Sequence, residues 1–67
     1  MNEIEKLQVL LPHWIEHNQE HANEFRKWAA QAGEAGTDIT NASQHLETAN
    51  QFLQAAIEKL KGTSGTV

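Results

Sequence analysis

The chain has 67 residues, enough for one small domain, and no cysteine, which excludes disulfides and thiolate metal sites. Five Lys and Arg against nine Asp and Glu give a net charge of −4, and this acidic balance disfavours contact with nucleic-acid phosphates. No apolar run approaches the roughly 20 residues that cross a bilayer, and the acidic first residues differ from the basic start of a signal peptide, so we expect a cytoplasmic protein that binds neither nucleic acid nor membrane.

The first predicted element is a long helix over residues 3–32. Its apolar residues recur at alternating steps of three and four, which is the heptad pattern abcdefg of packed helices, with a and d on the contact side. This lettering places two polar residues, Asn18 and His21, in otherwise apolar rows. The a positions are 4, 11, 18, 25 and 32, and the d positions are 7, 14, 21 and 28.

The ends of this helix and its single proline refine the prediction. Asn2, with Glu5 three residues later, has the spacing of a capping box at a helix start, and Gly33 is a suitable residue for the helix end. Pro12 removes a backbone donor and crowds the preceding turn. Because the heptad continues through it, we expect one kinked helix, with a break at residues 10–12 as the alternative.

The second helix is predicted over residues 38–61 and repeats the heptad. It carries large residues at a positions and alanine at the d positions 42, 49 and 56, and Thr37 or Asp38 is expected to cap its start. Residues 1–62 then form the helical domain. Residues 63–67 show no apolar periodicity, and we predict that they are a disordered tail.

Together these elements predict an all-α fold, a two-helix antiparallel hairpin, because the connection between the helices is short. The heptads are expected to pair so that Leu60 lies near Leu11. Since the segment 3–32 is longer than the segment 38–61, the start of the first helix is expected to overhang.

Two helices leave part of each apolar stripe in water. We therefore predict a homodimer that forms a four-helix bundle and covers the overhang, with a loosely folded monomer as the alternative. Trp14, Phe25 and Trp28 lie at helical spacing and are expected to be core residues rather than ligands.

Histidines spaced by four residues are the main chemical feature of the chain. His13, His17 and His21 lie at i, i+4 and i+8, so their imidazoles fall on neighbouring turns of one helix. We expect His13 to face solvent, His17 to lie at the boundary and His21 to reach into the contact side. In the predicted register, Glu24 and His45 come close to His21. We therefore expect the ion to be held by His17 and His21, with His13, Glu24 or His45 completing the coordination shell.

Imidazole and carboxylate ligands without thiolate indicate Zn²⁺ or Ni²⁺. No histidine has a glutamate three positions before it, so the Glu-x-x-His motif of di-iron bundles is absent. The sequence shows no nucleophile paired with a base, so it gives no indication of catalysis. We expect a non-catalytic module that binds a divalent transition metal. The alternative is a structural or adaptor protein without metal, which self-associates or binds a partner helix, and in which Asn18 and His21 are polar residues that set the register.

The run L-P-H-W-I-E-H-N-Q-E-H at residues 11–21, followed by F-R-K-W-A at residues 25–29, resembles a little-characterised prokaryotic family of small helical-hairpin domains. An H-W-x-x-H-N-x-x-H signature recurs in that family, in places beside His-rich stretches of metal-handling proteins. This sequence has no such stretch, which sets it apart from a metal-delivery protein. The residues that the resemblance implies are His13, His17, Asn18 and His21.

Overall fold

The computed structural model describes residues 2–65, with side chains described for residues 2–62, and it is an antiparallel pair of helices. Helix α1 spans Glu3–Ala29 and helix α2 spans Gly36–Gly65, and the turn between them contains a short 3₁₀ helix, Gly33–Ala35. No strand occurs in this part of the chain. The predicted all-α hairpin is therefore confirmed.

A capping box fixes the start of α1. The side-chain oxygen of Asn2 accepts a hydrogen bond from the backbone N–H of Glu5 at 2.8 Å, and the Glu5 carboxylate accepts one from the N–H of Asn2 at 3.1 Å. These bonds satisfy donors that a helix start leaves without partners. From there α1 runs through Pro12 without a break, so residues 10–12 belong to one helix.

The last turn of α1 tightens, and the α-helix therefore ends before residue 32. The N–H groups of Gln31 and Ala32 donate to carbonyls three residues earlier, at 2.9 and 3.2 Å, instead of four residues earlier. Gly33 follows with a φ of 58°, in the left-handed region that glycine adopts without strain. This conformation turns the chain back toward α1.

Helix α2 begins at Gly36 rather than at residue 38, at a point where it nearly touches α1. A Cβ atom on Gly36 would lie 2.6 Å from the backbone oxygen of Ala29. Only a residue without a side chain permits this approach. Thr37 and Asp38 consequently lie inside α2 and do not cap it.

The two helices have similar lengths, 27 residues in α1 and 30 in α2. The side-chain amide of Gln8 donates a long hydrogen bond of 3.5 Å to the carbonyl oxygen of Leu60, so the end of α2 reaches the first turns of α1. The predicted overhang is wrong, because α2 continues past residue 61. Residues 63–65 of the predicted tail have helical backbone, and residues 66–67 lie outside the described residues.

The helices contact each other through their a and e rows, not through a and d. In α1 the d residues 14, 21 and 28 are exposed, whereas the e residues 15, 22 and 29 are buried or half-buried. In α2 the e residues 36 and 43 are buried and 50 and 57 are half-buried, whereas the d residue 42 is exposed and the d residues 49 and 56 are half-buried. Each helix is thus rotated by roughly 50°, half of one residue step, from the predicted orientation. Trp14 and Trp28, which are expected to be core residues, therefore lie outside the contact between α1 and α2 and are exposed in the single chain, while Phe25, at an a position, is half-buried.

Small side chains account for this rotation. Near the turn the e row consists of Ala22, Ala29, Gly36 and Ser43, and Ala22 and Ser43 have no exposed surface. Small residues let two helix backbones approach closely, which tryptophans in the contact would prevent. Among the described residues, the buried hydrophobic side chains are Leu11, 5% exposed, and Ala22.

The resulting molecule is a rod of 53 × 17 × 12 Å with a Cα radius of gyration of 15.5 Å. A compact domain of this length has a radius of gyration of about 11 Å. A rod that is one helix thick cannot enclose its apolar side chains. Neither α1 nor α2, over the residues described, contains an apolar stretch long enough to cross a bilayer.

Candidate functional site: an open apolar face and a histidine pair

Five large hydrophobic side chains are exposed on the described part of the hairpin, and four of them share one side. Trp14 is 42% exposed, Trp28 56%, Leu10 39% and Phe52 73%. The two tryptophans occupy d positions, and Leu10 and Phe52 occupy the neighbouring g positions. The fifth, Val9, occupies an f position and lies off this side.

Helix geometry explains why these residues share a side. Around a helix the a, d and g rows follow one another. Because α1 and α2 are antiparallel and meet through a and e, their d and g rows lie on the same side of the hairpin. We call this side the open face. It comprises Leu7, Leu10, Trp14, Phe25, Trp28, Ile39, Ala42, Leu46, Ala49, Phe52, Leu53 and Ala56.

An apolar groove lies on the open face near the turn. It has a volume of about 390 Å³ and is lined by Phe25, Trp28, Asp38, Ile39 and Ala42. The four apolar residues occupy a and d positions of both helices. The groove therefore shows directly that these rows of α1 and α2 line one surface.

Charged residues are confined to the edges of the open face. Between residues 4 and 60, the a and d positions of the two helices carry no Asp, Glu, Lys or Arg. Glu24, Asp38 and Lys59 occupy g positions instead. An apolar centre with a polar rim is the arrangement found at protein–protein interfaces.

The opposite side of the hairpin carries an ion pair between the helices. The Arg26 guanidinium forms an ion pair with the Glu47 carboxylate, and both side chains are 40% exposed. This pair joins α1 to α2 away from the open face.

His13 and His17 are in contact on the surface of α1. Their ring centroids are 4.5 Å apart, with an angle of 62° between the ring planes. Both side chains are exposed, so His13 faces solvent as expected, and His17 is more exposed than the expected boundary position. The i, i+4 spacing therefore brings two imidazoles together on successive turns.

His21 and Glu24 have other neighbours. The His21 ring centroid lies 6.2 Å from that of Phe25, one turn further along α1. His21 is exposed, and the expectation that it reaches into the contact side is wrong, because the d row lies outside the helix contact. The Glu24 carboxylate accepts a hydrogen bond of 3.0 Å from the indole N–H of Trp28.

His45 lies apart from these residues on α2. Its Nδ1 is 2.7 Å from the carbonyl oxygen of Asn41 on the same helix, an arrangement in which Nδ1–H donates, and the side chain is exposed. Among the residues that the structure describes, no group of three or more His, Asp or Glu side chains is placed to hold a metal ion. Among the five candidate ligands, a ring contact of one candidate with another is shown for His13 and His17.

Sequence reasoning placed Leu10 in the overhang of the first helix and did not single out Phe52. Both are large apolar residues at g positions, next to the d row, and that position is the signal that identifies them as part of the open face.

A family model described as "Domain of unknown function (DUF8180)" matches residues 7–63, which include the helix contact, the open face and the histidine pair. No curated protein and no solved structure matches the chain. Because the family match covers most of the chain, this protein belongs to the DUF8180 family of domains of unknown function.

Proposed function

We propose that this chain is a non-catalytic interaction module that pairs with a second copy of itself through the open face and so completes a four-helix bundle. The observation that carries the proposal is the position of Leu10, Trp14, Trp28 and Phe52, which expose large apolar surfaces on one side of a thin hairpin. Contiguous apolar patches of this kind mark interaction sites.

The exposed surface area supports a partner of similar size. The hairpin exposes 4962 Å². A compact monomer of 7.5 kDa is expected to expose about 4,250 Å². The excess of about 700 Å² is close to the roughly 800 Å² that each partner contributes to a standard interface.

A second copy suits the open face because the two helices present complementary d rows. The d row of α1 carries Trp14 and Trp28, whereas the d row of α2 carries Ala42, Ala49 and Ala56. A two-fold axis parallel to the helices would place α1 of each copy over α2 of the other. Each tryptophan would then face alanines, and large side chains would fill the space above small ones.

The groove indicates which residues of the two copies would lie at the same height along the helix axes. Trp28 of α1 lies beside Ile39 and Ala42 of α2, since all three line the groove. With the axis parallel to the helices, Trp28 of the second copy would be seated at the same level, over the groove.

The family assignment permits one further element of the proposal. The H-W-x-x-H-N-x-x-H run at residues 13–21 lies inside the matched region. We propose that it is a recurring signature of prokaryotic members of this family. Its tryptophan, Trp14, belongs to the open face.

Sedimentation equilibrium of the full chain tests the proposed function. The wild type is expected to have twice the chain mass of 7.5 kDa at micromolar concentration. Trp28→Glu places a charge in the groove of the open face, where the second copy's Trp28 would be seated, and should leave a monomer. Val9→Glu is the matched control, because Val9 is 61% exposed and lies off the open face, and it should remain a dimer.

Two results would overturn the proposal. One is a wild type that sediments at the monomer mass over the whole concentration range. The other is a wild-type dimer that Val9→Glu dissociates as readily as Trp28→Glu, because the open face would then not be the interface. Circular dichroism of each variant verifies that the helices are retained.

A further inference from the structure

We infer that His13 and His17 form a two-histidine clamp for a divalent transition-metal ion, Zn²⁺ or Ni²⁺, on the solvent side of α1. This site is separate from self-association and does not rest on it. It uses residues of one chain alone.

The geometry of the two rings is close to what an ion requires. Zn²⁺ lies about 2.0–2.1 Å from a ligating imidazole nitrogen, so two imidazoles on one ion have centroids roughly 5 Å apart. The ring centroids of His13 and His17 are already 4.5 Å apart. The separation of the two rings on α1 is therefore compatible with chelation of one ion without movement of the helix.

Exposure leaves room for the rest of the coordination shell. Both histidines are exposed, so water can occupy the remaining positions on the ion. Imidazole nitrogen without thiolate suits Zn²⁺ and Ni²⁺. Both rings supply nitrogen ligands. Mg²⁺ and Ca²⁺ prefer oxygen ligands, so the pair should bind them more weakly than Zn²⁺ or Ni²⁺.

The charge around the pair favours a cation. Residues 7–25 contain no Lys or Arg. They contain three carboxylates, at Glu16, Glu20 and Glu24, and all three side chains are exposed. Glu20 follows His17 by three residues, which places it on the next turn of the same helix surface.

The heptad positions separate this clamp from the centre of the open face. His13 is at a c position, on the side of α1 opposite α2, and His17 is at a g position at the edge of the open face. The ion would thus be held at the solvent edge of the proposed dimer interface, on the part of α1 that faces away from α2. We expect one ion per chain.

Isothermal titration of the full chain with zinc chloride and with nickel chloride tests the clamp. His13→Ala and His17→Ala should each weaken binding at least about tenfold, since each removes one of two protein ligands, while His21→Ala and His45→Ala should stay within about threefold of wild type. His21→Ala is the sharpest control, because His21 also lies four residues from His17, yet its ring lies near Phe25.

Ring signals in heteronuclear NMR spectra provide a second readout. Titration with zinc chloride should shift the imidazole resonances of His13 and His17 and leave those of His45 in place. The Trp28→Glu variant should bind the ion as the wild type does, so failure of the dimer proposal and failure of the clamp are distinguished.

Three results would overturn the inference. The first is unchanged binding in both His13→Ala and His17→Ala. The second is a loss of binding in His21→Ala as large as that in His13→Ala. The third is a stoichiometry of one ion per two chains, because the ion would then be shared between copies.

Discussion

Asn18 on α1 donates a hydrogen bond from its side-chain amide to the side-chain oxygen of Asn50 on α2, with a donor–acceptor distance of 3.0 Å. Asn50 in turn donates to the carbonyl oxygen of Ile15 at 3.1 Å. Both asparagines are half-buried in the helix contact. These bonds are the interhelical contacts expected if Asn18 is a polar residue that sets the register, because sliding one helix along the other would break both bonds.

We expect Asn18→Ala and Asn50→Ala each to lower the free energy of unfolding by about 1–3 kcal/mol, because each leaves a half-buried polar partner unsatisfied. In the double variant both partners are gone, and its cost should fall short of the sum by about 0.5–1.5 kcal/mol. Urea unfolding at one fixed protein concentration measures the cycle. Additive costs would show that the bond does not couple the helices.

Glycine at position 36 is expected to be indispensable for the turn. Gly36→Ala would place a Cβ atom 2.6 Å from the Ala29 oxygen, which is backbone and cannot rotate away. We expect a loss of about 1–3 kcal/mol or more of stability from the forced separation of the helices. Gly62→Ala is the control: no atom lies within 4 Å of its Cβ, and alanine should stabilise α2 there by roughly 0.5–1 kcal/mol. Equal thermal shifts in the two variants would contradict the close approach at Gly36.

The small e row should be equally intolerant of larger side chains. Ala22 has no exposed surface, so Ala22→Leu must push α1 away from α2. We expect it to lower the free energy of unfolding by about 1–3 kcal/mol. Ala55→Leu, at an exposed position within α2, should change stability by no more than about 0.5 kcal/mol. If Ala22→Leu were tolerated as well as Ala55→Leu, the e row would not be the contact between the helices.

Short-range rules were sufficient for the parts of the fold that depend on neighbouring residues. The Asn2–Glu5 capping box and the two helices follow from local spacing, and the structure confirms them, whereas α1 ends at Ala29, before the Gly33 that was expected to end it. The rotation of each helix about its axis is not local. The a row takes part in both an a/d and an a/e contact, so the heptad alone does not choose between them. The a/e contact is favoured because Ala22 and Gly36 are small enough to let the helices approach closely. This effect depends on the packing of one helix against the other and not on the sequence of either helix alone.

The same distinction applies to the candidate site. The contact of His13 with His17 follows from i, i+4 spacing alone, and the structure confirms it. The placement of His45 near His21 depended on the rotation of the helices as well as on their register. The register differs from the predicted one by about one turn, because Leu60 pairs with Gln8 rather than Leu11, but the Asn18–Asn50 bond still sets His45 nearly level with residue 23. Both histidine side chains are exposed, since their d and g rows lie outside the contact between the helices, and periodicity alone does not fix that rotation.

The proposed dimer makes a prediction for the alanine row of α2. Ala42 is exposed and lines the groove, so Ala42→Trp should leave the hairpin folded but fill the space that Trp28 of the second copy would occupy. We expect the dissociation constant of the dimer to rise by at least about tenfold, the equivalent of 1.4 kcal/mol. Ala55→Trp, exposed on α2 but away from the open face, should leave the dimer intact. A dimer that persists in Ala42→Trp would exclude the orientation with the two-fold axis parallel to the helices.

The histidine clamp makes a prediction for thermal stability that separates a bound ion from a merely adjacent pair of rings. The rings of His13 and His17 are 4.5 Å apart because α1 holds them on successive turns, and unfolding of α1 removes that arrangement. An ion that binds the folded helix more tightly than the unfolded chain must therefore stabilise the fold, by about 2.7 kcal/mol at a free concentration one hundred times the dissociation constant. Zinc chloride should raise the melting temperature of the wild type and of His21→Ala, and a chelator should reverse the rise. The same addition should leave the double variant His13→Ala/His17→Ala unchanged. A rise of equal size in that double variant would show that zinc acts elsewhere on the chain.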